Sequence, residues 1–274
     1  MRLASISLYP IKSTTGHDVP VAEVEPWGLA GDRRYLITET TDAGSELLTA
    51  RDEPRLLACV PVLDDGALTL TGPHADPLRV VPGTTRSTVK VHHDPVELTD
   101  CGDEAAAWLS ALVGRPLRLH WMDDPTRRPV NPAYSRPDDR VSLADAYPLL
   151  LTSTASLTRL RDWITETALE RGEEAPEPLP MRRFRPNLVV EGASEPFAED
   201  EWKRVRIGEV DFRVSKGCDR CVLTTVDTAA YTKGKEPIRT LSRHRKRDGK
   251  VWFGINLIPD GVGRITQGDP VTIL

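Results

Sequence analysis

Along the first hundred residues, apolar and polar side chains alternate in short runs. From Leu3 to Tyr9, Leu3, Ser5, Ser7 and Tyr9 fall on one side and Ala4, Ile6 and Leu8 on the other, a period of two that predicts a strand. Similar runs at Val19–Val24, Arg34–Thr38 and Leu68–Leu70, separated by Gly, Pro and Asp, predict further short strands and a small barrel or sandwich. The period changes at Asp103–Val113. There Trp108, Leu109, Leu112 and Val113 share a helical face, with Asp100 as N-cap and Gly114 beyond the end. A second helix is predicted over Ser153–Arg171, where Leu157, Leu160, Trp163, Ile164 and Ala168 recur at helical spacing and Gly172 stops it. Between the two, Asp123–Asp139 is polar and carries Pro125, Pro129, Pro132 and Pro137, so it reads as a connection between two domains, 1–120 and 121–274. After an exposed loop at Glu173–Pro180, strands return at Leu188–Glu191, Val205–Ile207, Val210–Val214, Val222–Val226, Trp252–Ile258 and Val271–Leu274. The expected class is α+β, mainly β, with two β-barrel-like domains and a few helices.

Composition adds little to fold but narrows function. The 274 residues are 39% apolar and 28% charged, an ordinary globular mixture, and 23 prolines favour turns and strands over a helical bundle. A net charge of −5 has the wrong sign for general affinity for nucleic acid or an acidic membrane; any anion site must be local. The opening MRLASISLYPIKS holds no apolar run of a secretory or spanning segment, which makes the cytoplasm the expected location. Four cysteines (Cys59, Cys101, Cys218 and Cys221) are too few for a disulfide framework and read as reduced thiols.

Candidate chemistry concentrates at Lys216-Gly-Cys-Asp-Arg-Cys221. Cys221 stands beside the cation Arg220 at a turn, where a nucleophilic or metal-ligating thiolate is reasonable, and a pair of half-buried structural cysteines is as reasonable. A thioredoxin-like dithiol would open a helix, whereas β-branched residues follow here. Arg185 and Asn187 precede a strand and offer a planar donor and a directed amide. Lys12 with Ser13, and Arg33, lie at strand ends; taken alone, each is also a solvated loop residue. The run Arg243–Arg247 reads as a solvent-facing helix end, or as a landing surface for an acidic redox partner. The histidines His17, His74, His92, His93, His120 and His244 show no ligand spacing, and none is assigned to a metal.

YPIKS (Tyr9–Ser13), GDRRYLI (Gly31–Ile37), TARDEPRL (Thr49–Leu56), FRPNLVV (Phe184–Val190), CDRCVLTTVD (Cys218–Asp227) and GDPV (Gly268–Val271) occur in an order and at spacings that resemble the MOSC-domain proteins. The resemblance spans the chain and is nearest the two-domain members typified by the mitochondrial amidoxime-reducing component and its bacterial counterparts. It implies a MOSC N-terminal β-barrel-like domain, a MOSC domain, and a molybdenum cofactor (Mo-molybdopterin) held between them. By the same resemblance Cys221 ligates molybdenum and is the catalytic residue, while Lys12, Ser13, Arg33, Arg185, Asn187 and Arg220 contact the cofactor. Asp145 is a looser match lining the site, and Ala146 and Tyr147 depart from the small hydroxylated residues of the family. The implied reaction reduces a small-molecule N-oxygenated substrate to the amine or amidine, with electrons from a separate flavin, haem or iron–sulfur protein. The alternatives are a persulfide carrier using Cys221 for sulfur transfer and a cofactor-binding module without general reductase activity.

Overall fold

The computed structural model describes residues 1–42, 44–64, 66–91 and 94–274; His92 and His93, considered above as ligands, lie outside the described residues. The strand Arg2–Leu8 pairs with His17–Val19 on one edge and with Leu188–Glu191, far away in sequence, on the other. The sheet continues through Leu149–Ser153, Lys250–Pro259, Val210–Asp219, Arg204–Ile207 and Val271–Ile273. This last strand returns to the first: Val271 N donates to Met1 O at 3.0 Å and Leu3 N to Asp269 O at 2.9 Å, so the sheet nearly closes into a barrel. Leu3, Ile6, Leu151, Val190, Phe212, Ile255 and Leu257 are fully buried inside it. Each such side chain contributes about 1.5–3 kcal/mol on burial. A one-residue slip would turn them outward, and that cost fixes the register.

A second sheet runs Arg86–Val91, Asp94–Asp100, Leu117–Trp121, Tyr35–Thr41, Gly44–Leu47, and two three-stranded sheets flank the pair. Helix α1 (Gly102–Val113) lays Leu109 and Val113 into the second core, and Gly114 ends it in the left-handed conformation. Helix α2 (Thr154–Glu170) is capped by Ser153, whose hydroxyl accepts from Ser156 N. Helix α3 (Ile238–His244) ends at the basic run. The architecture is mainly β with a few helices. Among the described residues no helix is long and apolar enough to cross a membrane.

Three local expectations need correction. Val19–Val24 is two strands in different sheets, because Pro20 supplies no N–H to a ladder. Asp100 is not the N-cap: Cys101 occupies that position, and Asp100 instead accepts from Gly102 N at 2.7 Å. Val222–Thr225 is a single 3-10 turn and not a strand. Thr224 and Thr225 donate their hydroxyls back to Cys221 O and Val222 O, the local bonding by which threonine competes with a ladder. The stretch Asp123–Asp139 packs on the body of the protein, with Arg213 donating to Asp139 at 2.6 Å and Arg128 buried.

Candidate functional site

Where the first strand leaves the barrel, Tyr9–Lys12 zips against Arg33–Tyr35. Arg33 N donates to Tyr9 O, Tyr35 N to Pro10 O and Lys12 N to Tyr35 O, and Leu143 N then joins by donating to Arg33 O. Three segments separated by up to about 130 positions thus meet at the seam of the two large sheets. The loop before Leu188–Glu191 completes the wall, with Arg33 Nη2 donating to Arg185 O at 3.1 Å. All eight residues nominated from the sequence line the resulting cleft of about 810 Å³.

Its floor is charged and buried. Lys12, 5% exposed, donates to Leu143 O at 3.0 Å and forms an ion pair with Asp145. Burial pushes its pKa down, and the Asp145 carboxylate opposes that shift. Asp32, 1% exposed, accepts from Tyr9 N and holds Arg33 at 2.5 Å. Both the Arg33 and Arg185 guanidiniums pack on the Tyr9 ring, 4.3 and 4.4 Å from its centre. Burial first, and the like charge of Arg33 second, bring the Arg185 pKa down to about 10. Gly16 makes this stack possible, since a Cβ there would lie 2.4 Å from the Tyr9 ring. Among the described residues, nine Lys or Arg and three Asp line the cleft, a surplus of six positive charges in a chain of net −5. Such a surplus suits an anion.

Ser13, Arg33 and Arg185 share a backbone feature: φ values of +68°, +45° and +55°. For residues with a Cβ this left-handed conformation costs roughly 1–2 kcal/mol each.

The thiol end lies opposite. Cys221, exposed on the cleft wall, follows the end of strand Val210–Asp219 and opens the 3-10 turn; among the described residues its Sγ has no hydrogen-bond partner. Arg220 does not point to it. Its Nη1 donates to Cys218 Sγ at 2.9 Å and its Nη2 to Phe184 O at 2.6 Å, while Nε is buried and unpartnered. The expectation that Arg220 activates Cys221 directly is therefore corrected: the guanidinium bridges Cys218 and the Phe184–Asn187 loop. The case against a dithiol also weakens, since the segment does open a helical turn after a strand. Asn187, 1% exposed, has its amide engaged by Leu150 N and Ser7 O, so it ties two strands together at the cleft edge.

Several contributors escaped the sequence. Arg128 and Tyr134 fall in the stretch taken for a connection; Tyr9, Asp32 and Arg51 sit inside quoted motifs without a role; Lys216 opens the segment of the two cysteines without a role, and Lys250 gave no signal beyond charge. Of these, Arg128 is 5% exposed, donates to Ser142 O and Ala144 O, and has an orphaned Nε. A proline-rich setting hid it. Among the described residues, the unpartnered nitrogens of Arg128 and Arg220, Arg51 and Arg185 without a carboxylate partner, and a free thiol on one wall fit an organic phosphate carrying a thiolate-seeking metal.

Comparison with known proteins agrees. Residues 138–272 match the MOSC domain, and residues 1–116 match the MOSC N-terminal beta barrel domain. The chain is 33% identical over 293 residues to "Mitochondrial amidoxime-reducing component 1" of Homo sapiens, covering 99% of this chain and 82% of that protein. The Mus musculus protein of the same name is 34% identical with the same coverage. "Molybdenum cofactor sulfurase" of Danio rerio is 33% identical over 93% of this chain, which corresponds to 31% of that longer protein.

Proposed function

Because the chain belongs to the MOSC family, with a MOSC N-terminal beta barrel domain and a MOSC domain, we propose that it is a molybdenum-cofactor-dependent reductase of N-hydroxylated or N-oxide compounds. The observation that carries this reading is the convergence of buried cations and one free thiol, Cys221, on a single cleft.

In this reading Lys12, Ser13, Arg33 and Arg185 grip the cofactor's phosphate at the floor. Lys12 contributes a point charge and the two guanidiniums contribute planar donors. Arg220, fixed between Cys218 and Phe184 O, stiffens the wall from which Cys221 ligates molybdenum. Asn187 acts through the strands it joins, and Asp145 by holding Lys12. When bound, the cofactor supplies the two-electron chemistry that removes oxygen from an N–O bond. An amidoxime with two electrons and two protons gives an amidine and water. Burial pushes the Tyr147 hydroxyl up to about 12, so it stays protonated on the cleft wall and able to donate to a substrate oxygen. Electrons come from a separate redox protein.

The test is metal and pterin quantification on protein from a cofactor-competent host, with amidoxime reduction measured beside it. About one molybdenum per chain is expected. Cys221→Ser should bring turnover to background and Cys218→Ser should lower it far less. Wild-type protein that carries a Cys221 persulfide without stoichiometric molybdenum would replace this reading with sulfur transfer.

A further inference from the structure

The floor cations do not exhaust the charge of the cleft. At its mouth, Lys216 and Lys250 share one carboxylate: Asp219 lies 3.3 Å from the first ammonium and 3.4 Å from the second. These contacts are longer than a tight charge-assisted bond of about 2.7–2.9 Å. Each ammonium, with three donors, therefore keeps hydrogens free. Two ammoniums around one carboxylate leave the trio with one net positive charge. Asp219 and Lys250 sit at the rim, with side chains 44% and 50% exposed, and Lys216 lies further in at 18%, against 6% for Lys12 on the floor. The phosphate of the proposed cofactor has partners of its own on that floor, Lys12, Ser13, Arg33 and Arg185.

The surroundings of the trio are aromatic. Lys216 Nζ lies 5.3 Å from the Tyr134 ring centre and 5.4 Å from that of Trp252, and Lys250 Nζ lies 5.9 Å from Trp252. Tyr134, on the cleft wall, is 54% exposed, a large ring left facing solvent. Cys221 is two residues from Asp219 on the same segment. A flat ring therefore has a surface to lie on beside positive charge, in the same cleft that Cys221 lines.

We propose that the preferred substrates of this site are anionic: N-hydroxylated compounds on a planar aromatic frame that bears a carboxylate or similar acidic group, held by Lys216 and Lys250. The inference rests on the reductase reading and deepens it. Oxidised holoprotein without an electron donor binds such compounds and does not turn them over, so binding can be measured apart from activity. Titration calorimetry compares benzamidoxime, 4-carboxybenzamidoxime and the neutral 4-carbamoyl analogue at 50 and 500 mM salt. The carboxylate compound should bind at least tenfold more tightly than either neutral one at low salt, with most of the advantage lost at high salt. Lys216→Met/Lys250→Met should cut that advantage about tenfold with molybdenum content unchanged. Asp219→Asn, which frees both ammoniums, should increase it, an opposite sign that misfolding cannot produce. Equal affinity for all three compounds overturns the proposal, as does a double variant that keeps the preference and instead weakens turnover with a donor protein. Absence of molybdenum in the wild type would instead sink the reductase reading itself.

Discussion

Arg128 separates the sequence reading from the structural one in a single measurement. A guanidinium in a solvated connection would change stability by no more than about 0.5 kcal/mol on replacement. In the fold it is 5% exposed and donates to Ser142 O and to Ala144 O at 2.7 Å, with Asp145 O at 3.5 Å. Arg128→Met keeps most of the volume and leaves two buried carbonyls unpaired, at about 1–3 kcal/mol each. Removing the orphaned, desolvated Nε returns part of this. The net loss should be about 2–4 kcal/mol, and at roughly 2–4 °C per kcal/mol the melting temperature should fall by about 5–15 °C. The same residues carry Leu143 O and Asp145, the two partners of Lys12. Cofactor retention should therefore drop further than stability alone explains, with Arg128→Lys in between. Urea unfolding of cofactor-free protein reads the first effect and the pterin-to-protein ratio the second. A variant within 0.5 kcal/mol of wild type would show that the loop is held by something else, and the account of the floor would fail with it.

Thiol labelling of native, cofactor-free protein at pH 8 should modify Cys218 and Cys221 quickly and leave Cys59 and Cys101 until unfolding, because burial pushes the latter two thiols up to about 12. Four equal rates would contradict the packing. Sulfate or phosphate should stabilise cofactor-free protein more than chloride of equal ionic strength, by about 1.4 kcal/mol at ten times the dissociation constant, read as a higher melting temperature; Arg185→Met should remove the difference. Glu199 is fully buried and accepts from Ser153 and Ser156, and burial raises its pKa above the usual 4.5. The folded state therefore binds its proton more tightly than the unfolded one. Its contribution is complete below pH 4.5 and is lost as pH rises through the folded value. Glu199→Gln should flatten the decline of stability above pH 4.5, and an unchanged slope would reject the assignment.

The fold was legible where burial writes a period into the chain. Leu3–Tyr9, Leu188–Glu191 and α2 show their spacing because one face must be apolar. Which strands pair was not legible, since Leu3 opposite Val190 is a contact that no local pattern encodes. Val222–Thr225 misled because β-branching favours strands, while the threonine hydroxyls satisfied the backbone locally. Of the cleft, the residues inside recognisable motifs could be named. Arg128 and Lys250 could not, because an arginine among prolines and a lysine at the start of a strand look like solvated charges until a third dimension gathers them.

The left-handed backbone at Ser13, Arg33 and Arg185 explains how the gathering is done. Seven non-glycine residues of the described chain have positive φ, and these three line the cleft floor together. In extended conformation successive side chains alternate across the sheet, and a cation at the end of a strand would project into solvent or into the core. One left-handed residue at each exit re-aims the chain, so that Lys12, Arg33 and Arg185 converge from three segments while the strands behind them keep their register. The strain persists because neighbouring contacts over-determine it: Lys12 N on Tyr35 O, Arg33 N on Tyr9 O, Asp32 on both Tyr9 and Arg33. Glycine would take these conformations without strain, but it would leave no hydroxyl or guanidinium at the point where an anion is met. The protein thus keeps a less stable backbone at the three positions where charge or a donor is wanted.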